Sequence, residues 1–155
     1  MPGDVFKNNI RMRASGILKK DDSVLLVQLK SPVSNELVWM PPGGGIKFGE
    51  PMAQCLKREF AEETGLEVTM GPLLFVNEMV QPPFHAIECY FSVEKTGGQL
   101  HLGTDPELDE ANQLLKDVQW ISIDSLDEIN VEPKQLKTRI QNITERNSPS
   151  FYSRS

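Results

Sequence analysis

The stretch Gly44-Gly45-Ile46-Lys47-Phe48-Gly49-Glu50-Pro51-Met52-Ala53-Gln54-Cys55-Leu56-Lys57-Arg58-Glu59-Phe60-Ala61-Glu62-Glu63-Thr64-Gly65-Leu66 holds the densest structural signals in the chain. Pro51 suits the first turn of a helix, and Glu50 stands beside the positive end of its dipole. Gly65 is a natural C-terminal stop, so the residues predict a helix from Pro51 to about Thr64. With each residue advancing by about 100° and Met52 at zero, Leu56, Phe60 and Ala53 form an apolar arc at about 40°, 80° and 100°. On that scale Glu59, Glu62 and Glu63 fall at about 340°, 280° and 20°, bordering or entering the arc. Gln54, Lys57 and Ala61 occupy the opposite side. A solvated charged face would place the glutamates with Lys57.

Carboxylates gathered beside a buried stripe are costly. Two like charges ~4 Å apart repel by roughly 4 kcal/mol at an effective dielectric near 20. Such a cluster binds a cation or raises its own pKa values. An all-oxygen ligand set favours Mg²⁺ or Mn²⁺ over zinc. His85 and His101 have no partner at ligand spacing, and there is no HExxH, which disfavours zinc further.

Outward from this segment the pattern is that of a mixed α/β chain. Ile10 to Leu18 alternates, with Ile10, Met12 and Ala14 assigned to the inner face and Arg11, Arg13 and Ser15 to the outer. Asp21-Asp22 reads as a turn and Val24 to Leu29 as a buried strand. Ser31 to Glu36 and Pro41 to Gly49 read as loops. Leu73 to Val80 and Ala86 to Val93 read as strands around Pro82-Pro83, with Ile87, Cys89, Phe91 and Val93 sharing a face. Gly97 to Leu115 is an acidic connection, Val118 to Ile123 a strand, and Pro133 to about Glu145 a helix with Leu136, Ile140 and Ile143 inward. No repeat or linker divides residues 1–155, so a single domain is expected, with 147–155 as a frayed tail.

The 155 residues are 39% hydrophobic and 25% charged, ordinary for a folded domain. A net charge of −6, with no cluster of Lys and Arg, argues against DNA binding. An acidic chain that handles phosphates needs a bridging cation. An apolar run such as Val24-Leu25-Leu26-Val27 is far short of the roughly 18 residues a membrane span needs. The Met1-Pro2-Gly3-Asp4 start lacks the features of a signal peptide. Two cysteines, Cys55 and Cys89, read as buried reduced thiols and agree with a cytoplasmic location. Asn142-Ile143-Thr144 matches a glycosylation acceptor but reads as helix surface.

From Gly44 to Leu66 the pattern G-x5-E-x7-R-E-U-x-E-E-x-G-U, with U a bulky apolar residue, is matched at every fixed position. The stretch resembles the Nudix box of the MutT-like Nudix hydrolases. The strand order, Trp120 in a late strand and the C-terminal helix also resemble that family. The resemblance implies an α/β/α sandwich with a mixed sheet and a loop-helix-loop. It also implies metal-dependent hydrolysis of the pyrophosphate in a nucleoside diphosphate derivative.

Carried over by position, Glu62 and Glu63 would be metal ligands, joined by the Gly43 carbonyl. Glu59 would be a further ligand or the base that activates water. Arg58 would hold a glutamate, Gly44 would support the loop, and Glu50 would brace it or bind a second ion. Mg²⁺ is the implied cofactor, with Mn²⁺ as a substitute. Glu107 or Glu110 in the acidic connection would add a carboxylate. Pro82, sixteen residues past Leu66, tilts the reading toward ADP-ribose or nucleotide-sugar substrates. Trp39, Phe48, Phe84 and Tyr90 are the aromatics available to a base, though core or lid roles suit them better. Three other readings remain: a nucleoside triphosphate pyrophosphohydrolase, a nucleotide sensor without catalysis and a structural metal site. Monomer and homodimer are both left open.

Overall fold

A computed structural model describes residues 7–104, 106, 113–144 and 152–154, with 143, 144 and 152–154 described by their backbone. β1 (Ile10–Ile17), β2 (Lys19–Lys20), β3 (Ser23–Lys30), β4 (Leu37–Met40) and β5 (Gly43–Gly45) precede α1 (Met52–Thr64). β6 (Leu66–Gln81), β7 (Phe84–Gly98) and β8 (Leu115–Ser122) follow, then a 3₁₀ helix (Ile123–Glu128), α2 (Leu136–Thr144) and β9 (Tyr152–Arg154). One mixed sheet runs β5-β1-β7-β6-β9, in which the β1–β7 and β6–β9 pairs are parallel and the β5–β1 and β7–β6 pairs antiparallel. The second sheet is antiparallel: β3 pairs with β2, β4 and β8.

α1 buries Cys55, Leu56 and Phe60 against Ala14, Leu25, Val68, Phe91 and Val93. Burying a side chain such as Phe60 contributes about 1.5–3 kcal/mol. Gly65 ends the helix in the left-handed region at φ 75°, which other residues adopt only at a cost. On the far side, Ile17, Val24, Leu26, Phe75 and Tyr90 pack with Leu126, Leu136 and Ile140. The Phe75 and Tyr90 rings stack at 4.5 Å. Helix thus covers sheet on both sides, giving the expected α/β/α sandwich. No helix among the described residues is long and apolar enough to cross a membrane.

Several local expectations are corrected. Gly43–Gly45, read as loop, is a strand paired with Arg13, Ala14 and Ser15. Leu37–Met40 is also a strand, too short to show a period. At the N-terminal end of β1 the apolar side is the more exposed, with Ile10 at 63% against half-buried Arg11 and Arg13, and from Ala14 onward both sides are buried. Arg11 and Arg13 line a cavity shared with Leu29, Val38 and Met40 of the second sheet. Within the expected tail, Tyr152–Arg154 pairs in parallel with β6. Both cysteines are free and buried, as read.

Candidate active site

Arg58 projects from α1 and organises the box. Its Nε and Nη2 donate to the two oxygens of Glu50 at 2.7 and 2.9 Å, a bidentate fork. Nη1 donates to Glu59 Oε1 at 2.8 Å and reaches Glu62 Oε2 at 3.5 Å, while Nη2 also reaches the Gly45 carbonyl at 3.2 Å. One guanidinium therefore ties the loop, the helix and the glycine strand together. The hydrogen bonds from Arg58 and from the Lys47 N–H pull Glu50 down to about 2 against the opposing effect of burial.

Glu63 accepts from the Gly43 N–H at 3.0 Å. The Glu59 carboxylate lies against Gly44, in space that any Cβ there would fill. Burial pushes the Glu63 carboxyl well above its ordinary range, and Glu59 adds to the shift. Burial also raises Glu59, reinforced by Glu62 and opposed by Arg58. At both groups burial outweighs the nearby cations Arg58 and Arg13, which fits a place for a further cation. As they stand, the described His, Cys, Asp and Glu side chains form no group of three that could hold an ion. Glu63 is turned to Gly43, and Glu59 and Glu62 to Arg58, so cation binding would require these carboxylates to rotate.

These carboxylates open onto a cavity of about 380 Å³ between the two sheets. Arg11, Arg13, Lys47 and Arg58 face it, against Glu59, Glu62, Glu63, Glu88 and Glu132. Four cationic side chains thus face five carboxylates, of which burial raises the pKa of Glu59, Glu63 and Glu132. None of Trp39, Phe48, Phe84 and Tyr90 lines it. Tyr90 is core and Phe48 is fully exposed. The candidates Glu107 and Glu110 lie outside the described residues. The chain just before them is tethered to α1: the His101, Gly103 and Thr104 N–H groups donate to the carbonyls of Thr64, Glu63 and Glu62 at 2.9, 2.9 and 3.1 Å.

Sequence reasoning missed Arg11, Arg13 and Glu88 on the cavity floor. Arg13 Nη1 donates to Glu88 Oε2 at 2.8 Å. Burial opposes the Arg13 charge, but the carboxylate of Glu88 and other facing groups more than offset this and hold its pKa above the ordinary value. Burial and the neighbouring Arg13 lower Arg11 to about 10. The available signal is the Arg-x-Arg alternation on one side of β1.

The pKa shifts imply a pH dependence. Glu59 and Glu63 titrate above 4.5 in the folded chain, so their charging costs stability as pH rises from the unfolded value through the folded ones. Glu50 works oppositely: its contribution is present above 4.5 and lost as pH falls toward about 2. In chelator, the melting temperature is therefore expected to fall from about pH 5 upward, and Mg²⁺ or Mn²⁺ to restore it increasingly. An ion-induced shift that is the same at every pH would contradict this.

A family model described as the NUDIX domain matches residues 10–145. Over 92 residues the chain is 34% identical to an ADP-ribose pyrophosphatase of Methanocaldococcus jannaschii, covering 58% of this chain and 54% of that protein. Over 110 residues it is 31% identical to the NAD-capped RNA hydrolase NudC of Pseudomonas aeruginosa, covering 71% and 35%. The chain thus spans about half of the first curated relative and about a third of the second. The solution structure of the E. coli ORF135 protein superposes with a TM-score of 0.71 at 19% identity, over 92% of this chain and 96% of that one.

Proposed function

From a chain that belongs to the NUDIX domain family, we propose a divalent-metal-dependent hydrolase that cleaves the pyrophosphate linkage of a nucleoside diphosphate derivative. The observation that carries this reading is the intact box folded with Glu59, Glu62 and Glu63 together on one cavity that Arg11, Arg13 and Arg58 also line. Glu59, Glu62 and Glu63, with the backbone of Gly43, would hold the ion, Mg²⁺ with Mn²⁺ as substitute. When bound, the ion supplies charge neutralisation and a more acidic water.

The chain's own residues do the rest. Arg58 fixes Glu50 and Glu59 so that the loop and helix keep one geometry. Glu59, made more basic by burial, lines the cavity where an attacking water would give up its proton. Arg11 and Arg13 lie on the cavity floor, where phosphate oxygens displaced from water would find cationic donors. The likeness to an ADP-ribose pyrophosphatase and the exposed Pro82 turn both support substrates of ADP-ribose or nucleotide-sugar type.

The test is turnover of a panel of nucleotide derivatives with Mg²⁺ or Mn²⁺ and with chelator, with products identified. The expected products of a nucleoside diphosphate sugar are a nucleoside monophosphate and a sugar phosphate. Release of pyrophosphate from nucleoside triphosphates alone would assign the alternative pyrophosphohydrolase reading. Nucleotide binding without turnover would make the protein a sensor.

A further inference from the structure

The cavity floor holds a carboxylate for which the hydrolytic reading has no use. Glu88 is only 8% exposed, yet it lines the cavity. Its Oε2 accepts from Arg13 at 2.8 Å, and its Oε1 accepts from Asn77 Nδ2 at 2.9 Å. Both oxygens are thus fixed in position. An ionised carboxylate accepts up to about four hydrogen bonds, so acceptor capacity remains toward the cavity. Two residues along β7, on the same face, Ala86 leaves the floor low between Arg11 and Met79, its partners in register.

Position narrows what such a group would read. Arg13 pairs with Gly45 on one side and Glu88 on the other. Glu88 is therefore two strand spacings, about 10 Å, from the glycine strand that Glu59 and Glu63 touch. A phosphate held at α1 places the sugar directly attached to it over Glu88, with a nucleobase farther out. No aromatic side chain lines the cavity among the described residues. A fixed carboxylate with two oxygens matches two adjacent hydroxyl donors.

We propose that Glu88, held by Arg13 and Asn77 on the cavity floor, is a specificity-determining residue that accepts hydrogen bonds from the vicinal diol of a phosphorylated pentose. This rests on the hydrolase reading for where the phosphate sits. The diol belongs either to the nucleoside ribose or to the second sugar, and the ligands chosen below separate the two. A site built to bond a hydroxyl rejects the analogue lacking it, because the buried acceptor is left unpaired.

The test is binding, measured calorimetrically with Mg²⁺, of two ligand pairs that need no turnover. They are ribose 5-phosphate against 2-deoxyribose 5-phosphate, and AMP against 2′-deoxyAMP. In one pair the deoxy ligand is expected to bind about tenfold more weakly, the loss typical of one unmet hydrogen bond. The pair that shows it names the sugar. In Glu88→Gln the difference should shrink below about twofold, since the charged acceptor is gone.

Because Glu88→Gln leaves Arg13 without its counter-charge, the double variant Arg13→Gln/Glu88→Gln serves as a second measurement that removes both charges. Equal binding within both pairs by the unmodified protein overturns the proposal, as does discrimination that survives in both variants. The hydrolase reading fails separately, if no pyrophosphate is turned over while the hydroxyl discrimination stands.

Discussion

Glu62→Gln is expected to lower the rate of hydrolysis by about a hundredfold or more, the scale typical of positioned catalytic groups, while leaving the protein folded. Its side chain is 26% exposed and meets Arg58 only at 3.5 Å, so little of the fold depends on it. Glu59 and Glu63 already carry raised pKa values to which Glu62 contributes. Removing one charge from that group relieves repulsion, so the metal-free variant should melt at the same temperature or slightly higher. Rate measurements at saturating metal, paired with thermal melts, check both halves. A variant that melts early yet keeps its turnover would make Glu62 a structural residue.

Gly103→Ala should be comparably severe by a different route. A Cβ at residue 103 would fall deep inside the Glu62 carbonyl oxygen, and the obstacle is backbone rather than a flexible side chain. Relief requires detaching the tether whose three hydrogen bonds run to the carbonyls of Glu62, Glu63 and Thr64. At about 1 kcal/mol each, their loss should cost about 3 kcal/mol of stability. The rate should fall with it, because the last turn of α1 carries two of the box carboxylates. Gly49→Ala is the control: it has φ 83° but nothing within 4 Å, so it should cost only the backbone strain, about 1–2 kcal/mol. Equal melting temperatures for Gly103→Ala and the unmodified chain would show that the tether is dispensable.

What could be read before the structure was known depended on the length of each signal. α1 was legible because thirteen residues give a full helical period, a proline start and a glycine stop. The burial of Leu56 and Phe60 and the exposure of Gln54, Lys57 and Ala61 follow that period. The shared face of Cys89, Phe91 and Val93 was legible from alternation in β7. Leu37–Met40 and Gly43–Gly45 were not, since four and three residues carry too little pattern. A glycine triplet reads locally as loop, and only its pairing with β1 makes it a strand.

The site divides along the same line. Glu50, Arg58, Glu59, Glu62 and Glu63 sit in one continuous stretch, and the structure gathers them around Arg58 and the glycine strand. Arg13 and Glu88 are 75 residues apart and meet only through the parallel pairing of β1 with β7. Local alternation assigned Arg11 and Arg13 to the outside because it cannot show a second sheet enclosing that face. The same blindness left the aromatic candidates unplaced until the cavity itself was seen.

The most direct measurement is hydrolysis of ADP-ribose in ¹⁸O-labelled water with Mg²⁺ or Mn²⁺, followed by mass spectrometry of the products. The expected result is AMP and ribose 5-phosphate, one of them carrying a single ¹⁸O on its phosphate, formed only when the divalent ion is present. The same products at an undiminished rate in excess chelator, or products without label in phosphate, would contradict metal-dependent attack of water at phosphorus.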